Sequence, residues 1–475
     1  MADRDRAPAA DYYADVAVRR ALLTYAGATT THGPTAAFLC AFDPAAQPFP
    51  TWSSMSPLPW SALDEACGRG SDLSRALWDT DALVFAIDLD YQNLDYQGEP
   101  FLHASSVFFK LENSYGALRR IFRRFGLAMA AVATGRGYHF VGRVPLGSAT
   151  IDGLCALSDV PAWHATHERR RPPFAAPMDA RQAQAAEGLG RLIEYIAHLA
   201  VTEAASTNLI PLVVNGVVVG SGEIGRECVS IDFSHVGDPL DVRHMRVAFS
   251  TYQWHRARPD IFGPAVAALP PLAALPRRGR SLEAFLLAGR DLAAARTAVR
   301  TGGALAVPNV SRGVDRLIRH YRASPLAHFH DIFADERRRM GPDAAGDVPD
   351  LPPCLARPLR EPNDLLLKPE YLQNLVRGLL ARGWSAARIA ALVEREYLAD
   401  HQWGDRWTRL DARTRADFDV RVFAGLVLTG HDRLIDFNCV SSREKGICPE
   451  SGCGHDLDDD RRALLARVAM WQARA

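Results

Sequence analysis

The chain has 475 residues, 48% of them hydrophobic and 23% charged, with 55 basic side chains set against 55 acidic ones. That length predicts two or three domains, and zero formal charge excludes a protein that holds nucleic acid through its global field, leaving only local basic patches for the task. No apolar run reaches membrane-span length and the start, MADRDRAPAADYYADVAVRR, has no apolar stretch of a signal peptide; the expectation is a cytoplasmic protein with no membrane partner, its eight cysteines reduced unless a metal holds them.

Before residue 259, the β-rich runs TAAFLCAFD, ALVFAIDLD, IPLVVNGVVVG and CVSIDFS alternate with helical stretches such as SYGALRRIFRRFG and AAEGLGRLIEYIAHLAV. This predicts an α+β fold with a mixed sheet. The first run to carry chemistry is AIDLDYQN, residues 86–93. Side chains two apart share a strand face, so Asp88 and Asp90 point together while Phe85, Ile87 and Leu89 face the other way. Two carboxylates so placed repel, and they stay charged in a half-buried site only with a cation between them; otherwise the strand ends here and both are solvated turn residues.

Next comes SYGALRRIFRRFG, where Leu118, Ile121, Phe122 and Phe125 form an apolar stripe and Arg119, Arg120, Arg123 and Arg124 fall on its flanks. Those arginines are either a solvated face or a template-binding one. The helix runs straight into ATGRGYHFVG, residues 133–142. Thr134, Gly135, Arg136, Gly137, Tyr138 and His139 form a small-residue turn that exposes backbone N–H groups beside a cation and an imidazole, a chemistry suited to phosphate oxygens. Its plain alternative is a structural turn followed by a core histidine. In CVSIDFS, Ser230 and Asp232 share a face opposite Val229 and Ile231, and Arg243, Arg246, Ser250 and Tyr252 follow.

From residue 259 the segment RPDIFGPAVAALPPLAALPRRGR is Pro-rich and reads as a linker, and the runs beyond it are helical. The expected organisation is a catalytic domain over 1–258, a linker and helical connector over 259–348, and a helical, cysteine-bearing domain over 349–475. Short basic stretches, HERRRPPF, PRRGR and DERRRM, offer counterion release to a single strand, and Trp163 and Tyr321 either stack bases or pack the core.

Three motifs in order carry a resemblance. DxD on a strand, the turn Thr134-Gly135-Arg136-Gly137-Tyr138-His139, and a lone strand aspartate followed by a basic stretch and a serine together resemble the catalytic core of the archaeo-eukaryotic primase superfamily, over about residues 80 to 256. The resemblance implies a mixed sheet flanked by helices. It further implies that Asp88, Asp90 and Asp232 hold Mg2+ or Mn2+, and that Thr134, Arg136, Gly137, His139, Arg246 and Ser250 contact the phosphates of an incoming nucleotide. Two departures stand out. Thr134 occupies a place usually given to serine, and Tyr252 falls where the superfamily's S-x-H histidine would be.

The cysteines add a second resemblance. Cys354 follows Pro-Pro, and Cys439, Cys448 and Cys453 lie close together far downstream, whereas Cys40, Cys67, Cys155 and Cys228 are scattered singly as small core residues. One remote cysteine plus three grouped ones, with helices between, is similar to the iron-sulfur domain of primase large subunits. Four thiolates suit a [4Fe-4S] cluster; zinc held by Cys439, Cys448, Cys453 and His455 is the competing set and leaves Cys354 without a role. Together the resemblances imply a primase-polymerase: a DNA-dependent nucleotidyltransferase that makes or extends primers on a single-stranded DNA template from NTPs or dNTPs, with a helicase or other replication protein as a partner. The competing readings are a DxD glycosyltransferase and a non-catalytic nucleic-acid-binding metal-cluster protein.

Overall fold

Runs with a two-residue apolar period become strands in this chain and runs with a helical period become helices, as the side-chain geometry of each element requires. In the computed structural model, residues 2–44, 46, 56–219, 226–237, 243–278, 281–399, 401, 411–449 and 452–473 are described. Gly220 at the end of IPLVVNGVVVG, residues 238–242 before the basic stretch, Gly279 and Arg280 at the end of PRRGR, and Glu450 and Ser451 between two of the grouped cysteines lie outside them. The fold is α+β, with a mixed six-stranded sheet in the N-terminal half and a mostly helical C-terminal half. Among the described residues no helix is long and apolar enough to cross a membrane. The chain divides into two compact units, residues 1–189 with 239–315 and residues 190–238 with 316–475.

In the first unit, β1 (Leu39–Phe42) and β2 (Asp72–Ala76) pair antiparallel, and β2 also pairs with β8 (His244–Arg246). The long strand β3 (Ala82–Asn93) runs antiparallel to β5 (Gly137–Pro145), which pairs in turn with β4 (Ala130–Ala133). On β3, Phe85, Ile87 and Leu89 are fully buried, as the alternation predicts. The helix Ala104–Phe125 packs against the same strands, Phe108 meeting Tyr138 and Phe122 meeting Phe140 edge to face. Its Leu118, Ile121, Phe122 and Phe125 are buried and its four arginines exposed, and Gly126 (φ 65°) ends it in the left-handed conformation that favours glycine.

The Pro-rich segment differs from the linker its composition predicts. After two one-turn helices it forms β10 (Leu272–Ala273), antiparallel to β9 (Thr251–Tyr252), and β11 (Leu275–Pro276), antiparallel to β4. Leu272, Ala273, Ala274 and Leu275 are buried. Proline is tolerated because β11 is an edge strand, where no ladder donor is required on the outer side.

In the second unit, β6 (Leu212–Val214) and β7 (Glu227–Asp232) pair in parallel. The rest is helical, with Pro325–Arg339, Pro369–Ala381, Ala386–Leu398, Ala412–Leu428 and Leu457–Gln472 the longer helices of its C-terminal portion. Its interior holds a buried polar chain. Glu194 accepts from His330 Nε2 at 3.0 Å and from Arg421 Nε at 3.0 Å. Because that imidazole nitrogen must donate, the other, Nδ1, accepts from the Tyr321 hydroxyl at 2.6 Å, so one neutral tautomer satisfies both bonds.

Candidate active site

The β3–β5 register sets the site. Asp88 stands opposite His139 and Asp90 opposite Gly137. Between β4 and β5 the chain reverses over two residues, Gly135 and Arg136, closed by a bond from Thr134 N–H to the Gly137 carbonyl at 2.9 Å. A second bond, Tyr91 N–H to the Arg136 carbonyl at 3.0 Å, ties the turn to the strand that bears the aspartates. Gly137 is dictated by this approach: a Cβ there would lie 2.0 Å from the Leu89 carbonyl oxygen and 2.7 Å from Asp90 Oδ1. Gly135 is dictated from the other side, since a Cβ would meet the Tyr252 ring at 2.7 Å.

The turn delivers Arg136 to Asp90, with Nη2 and Oδ2 2.6 Å apart. The neighbouring carboxylate, foremost among the causes, raises the guanidinium above its ordinary pKa. Asp88 keeps 32% of its side chain exposed, and His139 Nε2 lies 3.6 Å from its Oδ1, beyond hydrogen-bond length. Burial, reinforced by Arg246 and Arg136, pushes His139 down to about 3, so at neutral pH its ring is an uncharged hydrogen-bonding group, not a cation. Thr134 is half-buried at the mouth of the turn.

Arg246 and Ser250 lie inside the fold. Arg246 is 3% exposed, 3.1 Å from Asp72, and donates to the Thr251 carbonyl at 2.6 Å. Its guanidinium also sits 4.5 Å from the centre of the Tyr252 ring. Ser250 is fully buried and accepts from Leu73 N–H at 2.7 Å. Asp72, which accepts from Thr251 Oγ1 and Gln253 N–H at 2.7 Å each, has no sequence motif around it; only the pairing of its strand, β2, with β8 reveals it as the partner of Arg246. Asp232 closes β7 in the second unit, half-buried, and accepts from Ser234 N–H at 2.8 Å.

Among the described residues, no three His, Cys, Asp or Glu side chains are gathered into a metal-binding group. The donors that the β3–β5 register does bring beside the turn are two carboxylates, Asp88 and Asp90, whose hard oxygens suit Mg2+ or Mn2+.

Cys354 and the grouped Cys439, Cys448 and Cys453 all lie in the second unit. Cys354, near the start of the helix Pro353–Arg360, is buried; burial, then Cys448 and Cys439, push its thiol up to about 12. Cys439 accepts from Leu457 N–H at 3.4 Å, and both Cys439 and Cys453 place Sγ 4.0 Å from the His455 carbonyl oxygen. Cys439 and Cys453 thus share the His455 carbonyl as a neighbour, and among the described residues the four thiols do not form a metal-binding group. Cys40, Cys67 and Cys228 are buried singly, and Cys155 is half-buried.

A scan of protein-family models and a search of curated proteins return no match to this chain.

Proposed function

We propose that this protein is a primase-polymerase, joining nucleotides from NTPs or dNTPs on a single-stranded DNA template. The observation that carries the reading is the pairing of an acidic strand with a cationic turn: Asp88 and Asp90 on β3 stand opposite a glycine-framed hairpin whose Arg136 reaches Asp90 at 2.6 Å. Asp88 and Asp90, which the β3–β5 register sets beside the turn, would hold divalent metal. Bound there, Mg2+ or Mn2+ supplies activation of the 3′ hydroxyl and neutralisation of the leaving pyrophosphate. Arg136 then offers its guanidinium, and the Thr134 hydroxyl and neutral His139 their hydrogen-bonding atoms, to the triphosphate. Arg246 and Ser250 act from behind, as the braces of the turn's surroundings.

The test is extension of a labelled primer, and synthesis on an unprimed strand, with each nucleotide set and with Mg2+, Mn2+ or chelator. Incorporation that needs both template and divalent metal is the expected outcome. Template-independent sugar transfer from a nucleotide sugar, with no incorporation, would favour the glycosyltransferase instead.

For the second unit the reading is a [4Fe-4S] cluster on Cys354, Cys439, Cys448 and Cys453. Among the described residues these thiols are not gathered into a metal-binding group, and the reading rests on the role it gives Cys354, which a Cys3His zinc site omits. Anaerobically purified protein is expected to carry about four iron and four sulfide per chain, and Cys354→Ser to lose them. Stoichiometric zinc, retained in Cys354→Ser, would establish the alternative.

A further inference from the structure

The Tyr252 ring occupies a position between two parts of the first unit that the reaction needs together. On one side lies Gly135, with so little room that a methyl group there would sit 2.7 Å from the ring. Arg246 stacks on the ring at 4.5 Å and is itself fixed by Asp72 and the Thr251 carbonyl. Phe101 and His255 complete the aromatic packing, with ring centres 5.9 and 6.0 Å from Tyr252. The backbone of Tyr252 is pinned by pairing with Leu272. Its ring is therefore a fixed plate, and the turn rests on it.

We infer that Tyr252 is a positioning residue that sets the height of the Gly135–Arg136 turn and thereby aims Arg136 at the nucleotide triphosphate. The inference rests on the primase-polymerase reading of the site. The ring itself does the positioning; the hydroxyl is dispensable. Histidine at this place would present a smaller ring to Gly135 and a weaker face to Arg246, because the stacking attraction scales with an electron-rich six-membered surface.

The test is a double-substitution cycle on the full chain, read as nucleotide KM and kcat in primer extension. Tyr252→Ala is expected to raise KM about tenfold or more with kcat within about threefold, since it loosens a group that binds the substrate throughout the reaction. Tyr252→Phe is expected to stay within about twofold of the native KM. Gly135→Ala should raise KM to a similar extent in the native background, because its methyl strikes the ring. In the Tyr252→Ala background the same methyl has space, so the double variant should be no worse than Tyr252→Ala alone, a coupling that loss of general stability would not produce. Additive effects, or a native KM in both Tyr252→Ala and Gly135→Ala, would overturn the inference. Should Tyr252→Ala fail to fold, Tyr252→Leu replaces it in the cycle with the same criteria. Asp90→Asn is run alongside: if it keeps native incorporation the reading of the site fails, whereas an inactive Asp90→Asn beside an unaffected cycle rejects the role of Tyr252 alone.

Discussion

Asp88→Asn is expected to lower nucleotide incorporation by about a thousandfold or more, equivalent to roughly 4 kcal/mol of transition-state stabilisation, while leaving the fold intact. The amide keeps the shape of the carboxylate and removes its charge, so it offers a divalent ion a poor ligand. With about a third of its side chain exposed and its His139 neighbour 3.6 Å away, Asp88 contributes little that β3 needs in order to pair. Circular dichroism and melting should therefore match the native protein, and single-turnover primer extension with Mg2+ or Mn2+ should not. Native rates in a folded Asp88→Asn protein would remove the metal-binding role from β3. Asp90→Asn is the harsher change, since it also strips Arg136 of its counter-charge, and so Asp88 is the cleaner probe.

The second large effect is acid sensitivity of the C-terminal unit. Burial holds His198 at about 3, and also holds His330 below its ordinary value, with Arg421 supplying the counter-charge that Glu194 would otherwise draw from the imidazole. Below pH ~6.5 the unfolded chain takes up a proton at each of these positions and the folded chain does not, so stability is fully present above that pH and falls as it drops. Each such histidine contributes a loss of about 1.4 kcal/mol per pH unit across the window. Asp417 works in the opposite direction: burial raises it to about 6, so the folded state gains a proton first and offsets one histidine between pH ~6 and ~4. Glu194, held well below the usual carboxylate range, despite its burial, by the His330 hydrogen bond and the Arg421 guanidinium, adds a further loss at lower pH. The net expectation is a plateau above pH ~7 and a fall of about 1.4 to 3 kcal/mol per pH unit below ~6.5, large against a total stability of about 5 to 15 kcal/mol. Melting temperature measured from pH 8 to pH 4 checks it. A unit that melts at the same temperature at pH 4.5 as at pH 7.5 would show that these imidazoles are already protonated in the fold.

Local order was legible from the residues alone. The two-residue period of β3 put Asp88 and Asp90 on one face and Phe85, Ile87 and Leu89 in the core, and the stripe of the helix Ala104–Phe125 emerged with its arginines outward. These features depend on backbone periodicity, which a short window contains. Register does not. The approach of Arg136 to Asp90 follows from which residues of β3 and β5 stand opposite one another, and the Asp72–Arg246 pair joins strands far apart along the chain. The Pro-rich run looked like a linker because composition reports the absence of helix, and an edge strand of two residues leaves no periodic trace. Buried polar chains such as Tyr321–His330–Glu194–Arg421 are equally silent in sequence, since each member looks like an ordinary surface residue until the fold encloses it.

The ion pair at the tip of the hairpin has one more consequence. Arg136 and a divalent ion would compete for the charge of the same carboxylate, since the guanidinium already holds Asp90 Oδ2 at 2.6 Å. Occupation of Asp90 by metal would release the guanidinium to the triphosphate, and a triphosphate that draws the guanidinium away would open Asp90 to metal. Linkage requires the two effects to be equal in free energy, so nucleotide would tighten metal uptake by the same factor that metal tightens nucleotide uptake. On the primase-polymerase reading, such a protein would keep Asp90 neutralised by Arg136 while idle and arm it when both ligands arrive.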